Sequence, residues 1–131
     1  HCRSCGNRNC IIKQKKICEV CNSQLEIAGP LWTGHLFNKK FIMDMVQQIP
    51  KFVVRKRCMS ILEKCTLEAE MPSTYYTLDE IASKMQSAPL KMKNAIKILQ
   101  DEGFLASPTS LNPTGFRTDC RIDKMIKLFK S

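Results

Sequence analysis

The chain has 131 residues, a length that allows one domain of ordinary size or two small ones. A hydrophobic fraction of 44% excludes a wholly disordered chain, and no run of apolar residues is long enough to span a bilayer. The net charge of +9 favours an acidic partner, such as nucleic acid or an anionic membrane. The first residues do not resemble a signal peptide, and a histidine directly before a cysteine pair suggests a fragment of a longer protein.

Two Cys-x-x-Cys pairs lie near the start of the chain, with twelve residues between them. Two intervening residues let both thiolates of a pair face one point about 2.3 Å away, which is the Zn–S distance, and a second pair completes a tetrahedron. We therefore predict a small zinc ribbon in which one ion is held by Cys2, Cys5, Cys18 and Cys21. Four thiolates leave no position for water, so the zinc would be structural and not catalytic.

The loop between the two pairs leaves some choices open. His1 or Cys10 could replace one of the four ligands, and two disulfides or four unrelated thiols are alternatives to the metal site. Lys13, Lys15 and Lys16 lie on the same loop. They either solvate the tip of a hairpin or contact phosphate, and the loop alone favours solvation.

Residues 29–71 combine a punctuated loop with two amphipathic helices. The loop contains two glycines, a proline and the only tryptophan, so we predict a buried, ordered segment in which Trp32 packs the cysteine region onto the helices. Asn38 is placed to cap the first helix. The apolar face of that helix, at intervals of three and four, consists of Phe41, Ile42, Met45, Val46 and Ile49. A second helix follows Pro50 and is expected to run to about residue 71.

Residues 72–121 have the pattern of a winged-helix-like domain. Thr77 and Glu80 form a capping box at the start of a short helix, and a second helix ends at Gly103. Strands are predicted at residues 104–107 and 116–118, joined by a turn. Two short helices followed by a hairpin are typical of a winged helix. The candidate phosphate contacts in this domain are Lys93 and Lys97 on the second helix and Arg117 on the wing.

The last segment, residues 122–131, has apolar residues at helical spacing with lysines between them. It is expected to be a docked C-terminal helix, with a membrane-surface helix as the alternative. The predicted fold class is therefore α+β and mostly helical. Its parts are the zinc-binding knuckles at residues 1–28, the loop and helical pair at residues 29–71, the winged-helix-like domain and the C-terminal helix.

Several segments together resemble the C-terminal region of the tRNA N2,N2-dimethylguanosine methyltransferase family. Beside the cysteine pairs, they are Gly29-Pro30-Leu31-Trp32-Thr33-Gly34, Tyr75-Tyr76-Thr77-Leu78, and Ala106-Ser107 followed by Pro113-Thr114-Gly115-Phe116-Arg117-Thr118-Asp119. The Gly-Pro-Leu-Trp loop and the Pro-x-Gly-x-x-Thr-Asp segment are specific when they occur in this order. The family wing carries a basic residue and a histidine where this chain has Pro108 and Ser110, which indicates a divergent, dimethyltransferase-like paralogue.

The resemblance implies an S-adenosylmethionine-dependent enzyme that methylates a guanine amine near the junction of the D stem and anticodon stem of tRNA. The family's glycine-rich cofactor loop and Asp-Pro-Pro motif belong to an N-terminal Rossmann-like domain, and neither motif occurs here. This chain is then expected to be non-catalytic by itself. Its implied partners are tRNA and the protein's own N-terminal methyltransferase domain, with no membrane, in the nucleus, the nucleolus included, or the cytoplasm.

Two other function classes match composition and spacing. A DNA-binding module with a zinc ribbon and a winged helix is the first, because winged helices commonly bind DNA grooves. A zinc-stabilised protein-interaction domain is the second. Only the family resemblance favours tRNA over DNA, and competition between tRNA and duplex DNA distinguishes the two.

Overall fold

The computed structural model describes residues 1–8, 16–53 and 56–130 of an α+β chain. Helices α1 to α5 span Lys39–Gln48, Lys56–Glu68, Leu78–Met85, Met92–Asp101 and Ile122–Lys130. Strands β1 to β3 span Tyr76–Thr77, Ala106–Pro108 and Gly115–Thr118, and a 3-10 turn, Ile49–Lys51, follows α1. The predicted class, α+β and mostly helical, is confirmed. None of the described helices is long and apolar enough to cross a membrane.

A three-stranded antiparallel sheet organises residues 76–118. Strand β3 is central and pairs with β1 on one side and β2 on the other. The register places Phe116 opposite both Tyr76 and Pro108. The predicted hairpin is present, although β2 begins two residues later than expected. Strand β1 has only two residues, which is too few for a pattern of alternating side chains to indicate it.

The main hydrophobic core lies between this sheet and helices α3, α4 and α5. Phe116 is fully buried, and the centroid of its ring lies 6.3 Å from that of Tyr76 and 6.4 Å from that of Phe129. The helices contribute Leu78, Ile81, Met85, Ala95, Leu99, Ile122, Met125 and Phe129 to this core. Helix α5 is therefore docked, as predicted, because its apolar face is covered by protein.

Local hydrogen bonds and backbone turns set the ends of α3 and α4. The Thr77 hydroxyl accepts from the backbone amide of Glu80 at 3.1 Å, which confirms the predicted cap. The Glu80 carboxylate does not complete a capping box, because it pairs with Arg8 at 2.6 Å. Gln86, with φ of 55°, ends α3, and Gly103, with φ of +81°, follows α4 in the left-handed region that glycine favours.

Helices α1 and α2 pack against each other, and α2 also contacts strand β2. The Asn38 side chain accepts from the Phe41 amide at 3.0 Å, so this predicted cap is also confirmed. Helix α2 ends at Glu68, three residues before its expected end, because the chain turns there and the Met71 amide donates to the Glu68 carbonyl. The expected start of α2 at residues 54–55 lies outside the described residues.

Two predictions for this middle stretch are wrong. Residues 29–36 are exposed throughout, and Trp32, 72% exposed, does not pack the cysteine region onto the helices. Its indole N–H donates to the His35 carbonyl at 3.1 Å and its ring lies against Gly34, so it packs within its own loop. The apolar face of α1 is partly covered: Ile42 is buried and Val46 and Ile49 are half-buried, whereas Phe41 is 65% exposed.

Candidate metal centre and nucleic-acid surface

The two cysteine pairs adopt the same backbone conformation. The amide of Cys2 donates to the carbonyl five residues later, and its carbonyl accepts from the Gly6 amide. Cys18 makes the equivalent bonds with the carbonyl of residue 23 and the amide of Asn22. Gly6 and Asn22 both have positive φ, of 81° and 57°. The chain therefore forms two matching knuckles, each turning directly after its second cysteine.

The knuckles bring four sulfur atoms together. All four lie within 4.8 Å of one another, with Sγ–Sγ distances of 3.4 Å for Cys2 and Cys21 and 3.6 Å for Cys5 and Cys18. Sulfurs at the corners of a zinc tetrahedron are about 3.8 Å apart, whereas a disulfide is about 2.05 Å long. The arrangement fits a metal ion, and the four cysteines are free, with sulfur atoms too far apart for two disulfides.

The electrostatics of the cluster also fit a cation. Burial raises the pKa of the Cys5 thiol to about 12, whereas hydrogen bonding by Ser23 lowers the pKa of Cys21 to about 6. The Cys18 sulfur accepts from the side-chain amide of Asn7, 3.7 Å away. Four thiolates this close repel one another, and a bound divalent ion removes that repulsion. Four soft sulfur ligands suit zinc and fill its coordination shell, so such a site stabilises the fold and has no position for a reacting water.

The proposed substitutes for these ligands are not part of the cluster as described. The His1 imidazole is on the surface, with Nε2 3.9 Å from the Glu26 carboxylate. Cys10 lies outside the described residues. Within residues 1–8, 16–53 and 56–130, the four knuckle cysteines form the one group of possible metal ligands whose ligand atoms lie close enough together to share an ion.

One side chain next to the first knuckle and one side chain of α3 attach the knuckle to α3 and β1. Arg8 donates to the Tyr75 carbonyl, pairs with Glu80 and stacks 4.5 Å from the centroid of the Tyr76 ring. From α3, the Lys84 ammonium donates to the carbonyls of residues 3 and 4, at 2.7 and 2.8 Å. The candidate metal centre is therefore attached to β1 and α3. Sequence analysis did not identify Arg8 or Lys84, since nothing in their local pattern indicates partners more than 60 residues away.

The structure places the predicted phosphate contacts in different parts of the chain. Lys93 and Lys97 are exposed and lie one helical turn apart on α4. Lys16 is exposed beside the second knuckle, whereas Lys13 and Lys15 lie outside the described residues. Exposed lysines that sequence analysis did not propose as contacts also occur on α5, at positions 124, 127 and 130. Their three-residue spacing places them along one side of that helix.

Arg117 does not belong to this surface, and its prediction as a phosphate contact is corrected. Its side chain is 1% exposed, and Nε lies 2.6 Å from the buried carboxylate of Glu68. Nη1 donates to the carbonyls of Pro72 and Ser73, at 2.6 and 2.7 Å. Through Nε and Nη1 the guanidinium is therefore bound inside the protein, where it joins β3 to the end of α2, while its buried Nη2 has no hydrogen-bond partner. The sequence does contain a signal that Glu68 is buried, because Glu68 lies three residues after Cys65 and therefore on the same face of α2.

A model of the N2,N2-dimethylguanosine tRNA methyltransferase family matches residues 1–130. The chain belongs to this family. Two relatives, both named tRNA (guanine(26)-N(2))-dimethyltransferase, come from Methanosphaera stadtmanae and Methanothermobacter thermautotrophicus. Each is 30% identical, over 98% and 95% of this chain respectively and over 34% of its own length. This member of the family therefore spans about a third of the length of the curated relatives it matches.

A solved structure shows a similar fold. Trm1 from Pyrococcus horikoshii, determined as a complex with S-adenosyl-L-methionine, superposes with a TM-score of 0.69 and 22% sequence identity. The likeness covers 82% of this chain and 30% of that one. At this identity the likeness concerns the fold alone. Most of the fold of this chain thus recurs in a solved protein.

Proposed function

We propose that this chain is the tRNA-binding, C-terminal part of an S-adenosylmethionine-dependent tRNA guanine-N2 methyltransferase. The observation that carries the proposal is the family match over residues 1–130 in a chain with exposed lysines on a surface helix. The relatives' names, which specify a guanine of tRNA, support the substrate. The net charge of +9 supports an anionic partner.

Residues 72–121 act in this proposal as a winged-helix-like unit. The order β1-α3-α4-β2-β3 and the central position of β3 in the sheet support that assignment. Helix α4 is then the helix that faces RNA, and Lys93 and Lys97 are its phosphate contacts. The major groove of A-form RNA is too narrow for side chains to reach base edges, so α4 would bind the backbone and the shape of the tRNA.

Cys2, Cys5, Cys18 and Cys21 hold one structural zinc ion in this proposal. The sulfur distances and the matched knuckles support the assignment. When bound, the ion supplies cross-linking of two chain segments and no reaction chemistry. Through Arg8 and Lys84, the zinc ribbon would keep Lys16 in a fixed position relative to α4, so that both can contact one RNA.

Methyl transfer and binding of S-adenosylmethionine belong, in the proposal, to a part of the enzyme outside this sequence. The absence of a glycine-rich cofactor loop and of an Asp-Pro-Pro motif from the sequence supports this division. This chain's contribution is then to bind and orient tRNA, so that loss of its lysines weakens tRNA binding before it affects the chemical step.

The experiment that tests tRNA binding measures affinity as a function of salt for the Lys93→Ala, Lys97→Ala double variant. With each phosphate contact removed, tRNA binding releases fewer counterions. The slope of log affinity against log salt should therefore flatten by about one to two units in the double variant. The matched control is Lys93→Arg with Lys97→Arg, which keeps both charges and should keep the slope. A Lys13, Lys15 and Lys16 triple alanine variant tests the zinc loop separately.

The possible results lead to different conclusions. An unchanged slope in the α4 variant together with a flattened slope in the triple variant would move the binding surface to the zinc loop. If duplex DNA competes with tRNA on equal terms, the DNA-binding alternative replaces the proposal. That alternative is favoured by one observation, the helix-turn-helix and hairpin order that DNA-binding winged helices share.

A further inference from the structure

Large apolar side chains are exposed along the helical pair. Phe41 on α1 and Phe52 after the 3-10 turn are 65% and 67% exposed, and Met45 is 41% exposed. Phe41 and Met45 have the helical spacing of a buried face, and Phe52 lines the same groove, yet no described part of the chain covers these side chains. Monomeric proteins seldom leave contiguous apolar surface of this kind, and where it occurs it usually marks an interaction site.

The exposed side chains line a groove of about 430 Å³ between α1 and the first half of α2. Its apolar lining consists of Phe41, Met45, Ile49, Phe52, Cys58 and Leu62. Asp44 and Gln48 are the polar residues beside them. A small-molecule site places a few polar groups so that they orient the ligand, whereas the two polar residues here both come from neighbouring turns of α1. Its shape and chemistry suit a ridge of apolar side chains from a protein.

We infer that this groove binds an apolar segment of the remainder of the same polypeptide, the part that corresponds to the other two thirds of the relatives' length. The inference rests on the proposed function, which assigns that part to methyl transfer. The matched relatives are about three times as long as this chain, so most of their surface lies outside it. Interfaces between domains of one chain bury patches of this kind.

Charges beside the groove indicate what flanks the docked segment. Lys40 and Lys51 adjoin Phe41 and Phe52 in sequence, and Lys56 begins the helix that carries Cys58; all three lysines are exposed. Three lysines are thus close in the chain to residues that line the groove, whose own lining includes one carboxylate, Asp44. We expect the docked segment to present carboxylates beside its apolar side chains, because opposite charges set the register of an interface.

Cys58 provides a direct test, because its thiol is exposed here and lines the groove. The complete gene product is treated with a maleimide, and labelling of Cys58 is followed by peptide mass mapping. We expect Cys58 to react at least about tenfold more slowly than an unprotected cysteine peptide. Phe41→Asp should restore rapid labelling by placing a charge in the groove. Met43→Asp is the matched control, since Met43 is similarly exposed on α1 and does not line the groove.

Three results would overturn the inference. Labelling of Cys58 in the unmodified protein at the rate of the free peptide would show that the groove is open. Protection that increases with protein concentration would identify a second copy as the occupant. Equal release by Phe41→Asp and Met43→Asp would mean that the groove itself is not the contact. The salt slope of tRNA binding, measured on the same samples, tests the proposed function separately, because a groove variant keeps Lys93 and Lys97.

Discussion

Replacing Glu68 by alanine should destabilise the protein more than any change of a surface charge. Glu68 Oε2 accepts from Arg117 Nε and from the Thr109 hydroxyl, both at 2.6 Å, and Oε1 accepts from the Ser110 amide at 2.5 Å. Its side chain and that of Arg117 are 0% and 1% exposed. The variant therefore leaves a buried guanidinium without its counter-ion and two further donors without an acceptor.

The expected cost follows from this geometry. Removing one partner of a buried ion pair costs about 3–5 kcal/mol, because the remaining charge is neither solvated nor paired. For a chain of this size, that lowers the melting temperature by about 10–20 °C. The Arg117 Nη1 bonds to two carbonyls persist, which favours the lower half of the range.

Thermal and denaturant unfolding of zinc-saturated protein measure this effect. The matched control is Glu63→Ala, because Glu63 is an exposed carboxylate on the same helix and its loss should change stability by less than about 0.5 kcal/mol. Glu68→Leu combined with Arg117→Met removes both charges and should recover most of the loss. A cost below about 1 kcal/mol for Glu68→Ala would refute the buried pair.

Three further predictions concern acid stability, the metal and the first knuckle. Burial raises the pKa of the Glu68 carboxyl, but hydrogen bonds from Thr109, Ser110 and Arg117 lower it by more, so its net pKa lies below the ordinary value of 4.5. The stability that Glu68 contributes is therefore present above pH 4.5 and is lost as the pH falls through the lowered pKa. An acid titration of Glu68→Ala should lack this loss of stability. Metal analysis should find one zinc per chain, absent from Cys18→Ser and retained in the exposed-site control Cys58→Ser; full zinc in Cys18→Ser would contradict the site. Gly6→Ala should lower the free energy of unfolding by about 1–3 kcal/mol more than the control Gly103→Ala. Both glycines have φ of +81°, but only at Gly6 would the new Cβ lie 2.8 Å from the Ile122 side chain. Equal losses of stability in the two variants would exclude that contact.

Local signals in the sequence were sufficient to predict the cluster of four cysteines and most helix ends. The Cys-x-x-Cys spacing acts over four residues, and the caps at Asn38 and Thr77 act over three, so neighbouring residues alone supply the physical cause. The same is true of the docked helix α5, whose apolar periodicity is contained in nine residues.

Residues far apart in the chain decided the features that the sequence did not reveal. Arg117 is basic and lies on a predicted hairpin strand, so its sequence context indicates a surface contact. Its partner Glu68 is 49 residues away, and Arg8 and Glu80 are 72 residues apart. Whether such charges face solvent or each other depends on how α2, β3 and the first knuckle meet, and no local pattern contains that information.

The sequence by itself determined the cysteine cluster, the helical segments and the basic character of this chain, because each depends on residue type and short spacing. Only the tertiary structure decided which charges and apolar faces are buried. Lys93 and Lys97 remain outside, Arg117 is enclosed, and Phe41 lies open although its helical spacing predicts a core position. The physical reason is that burial is a property of packed elements: an apolar stripe specifies that a partner is needed and does not specify which surface provides it.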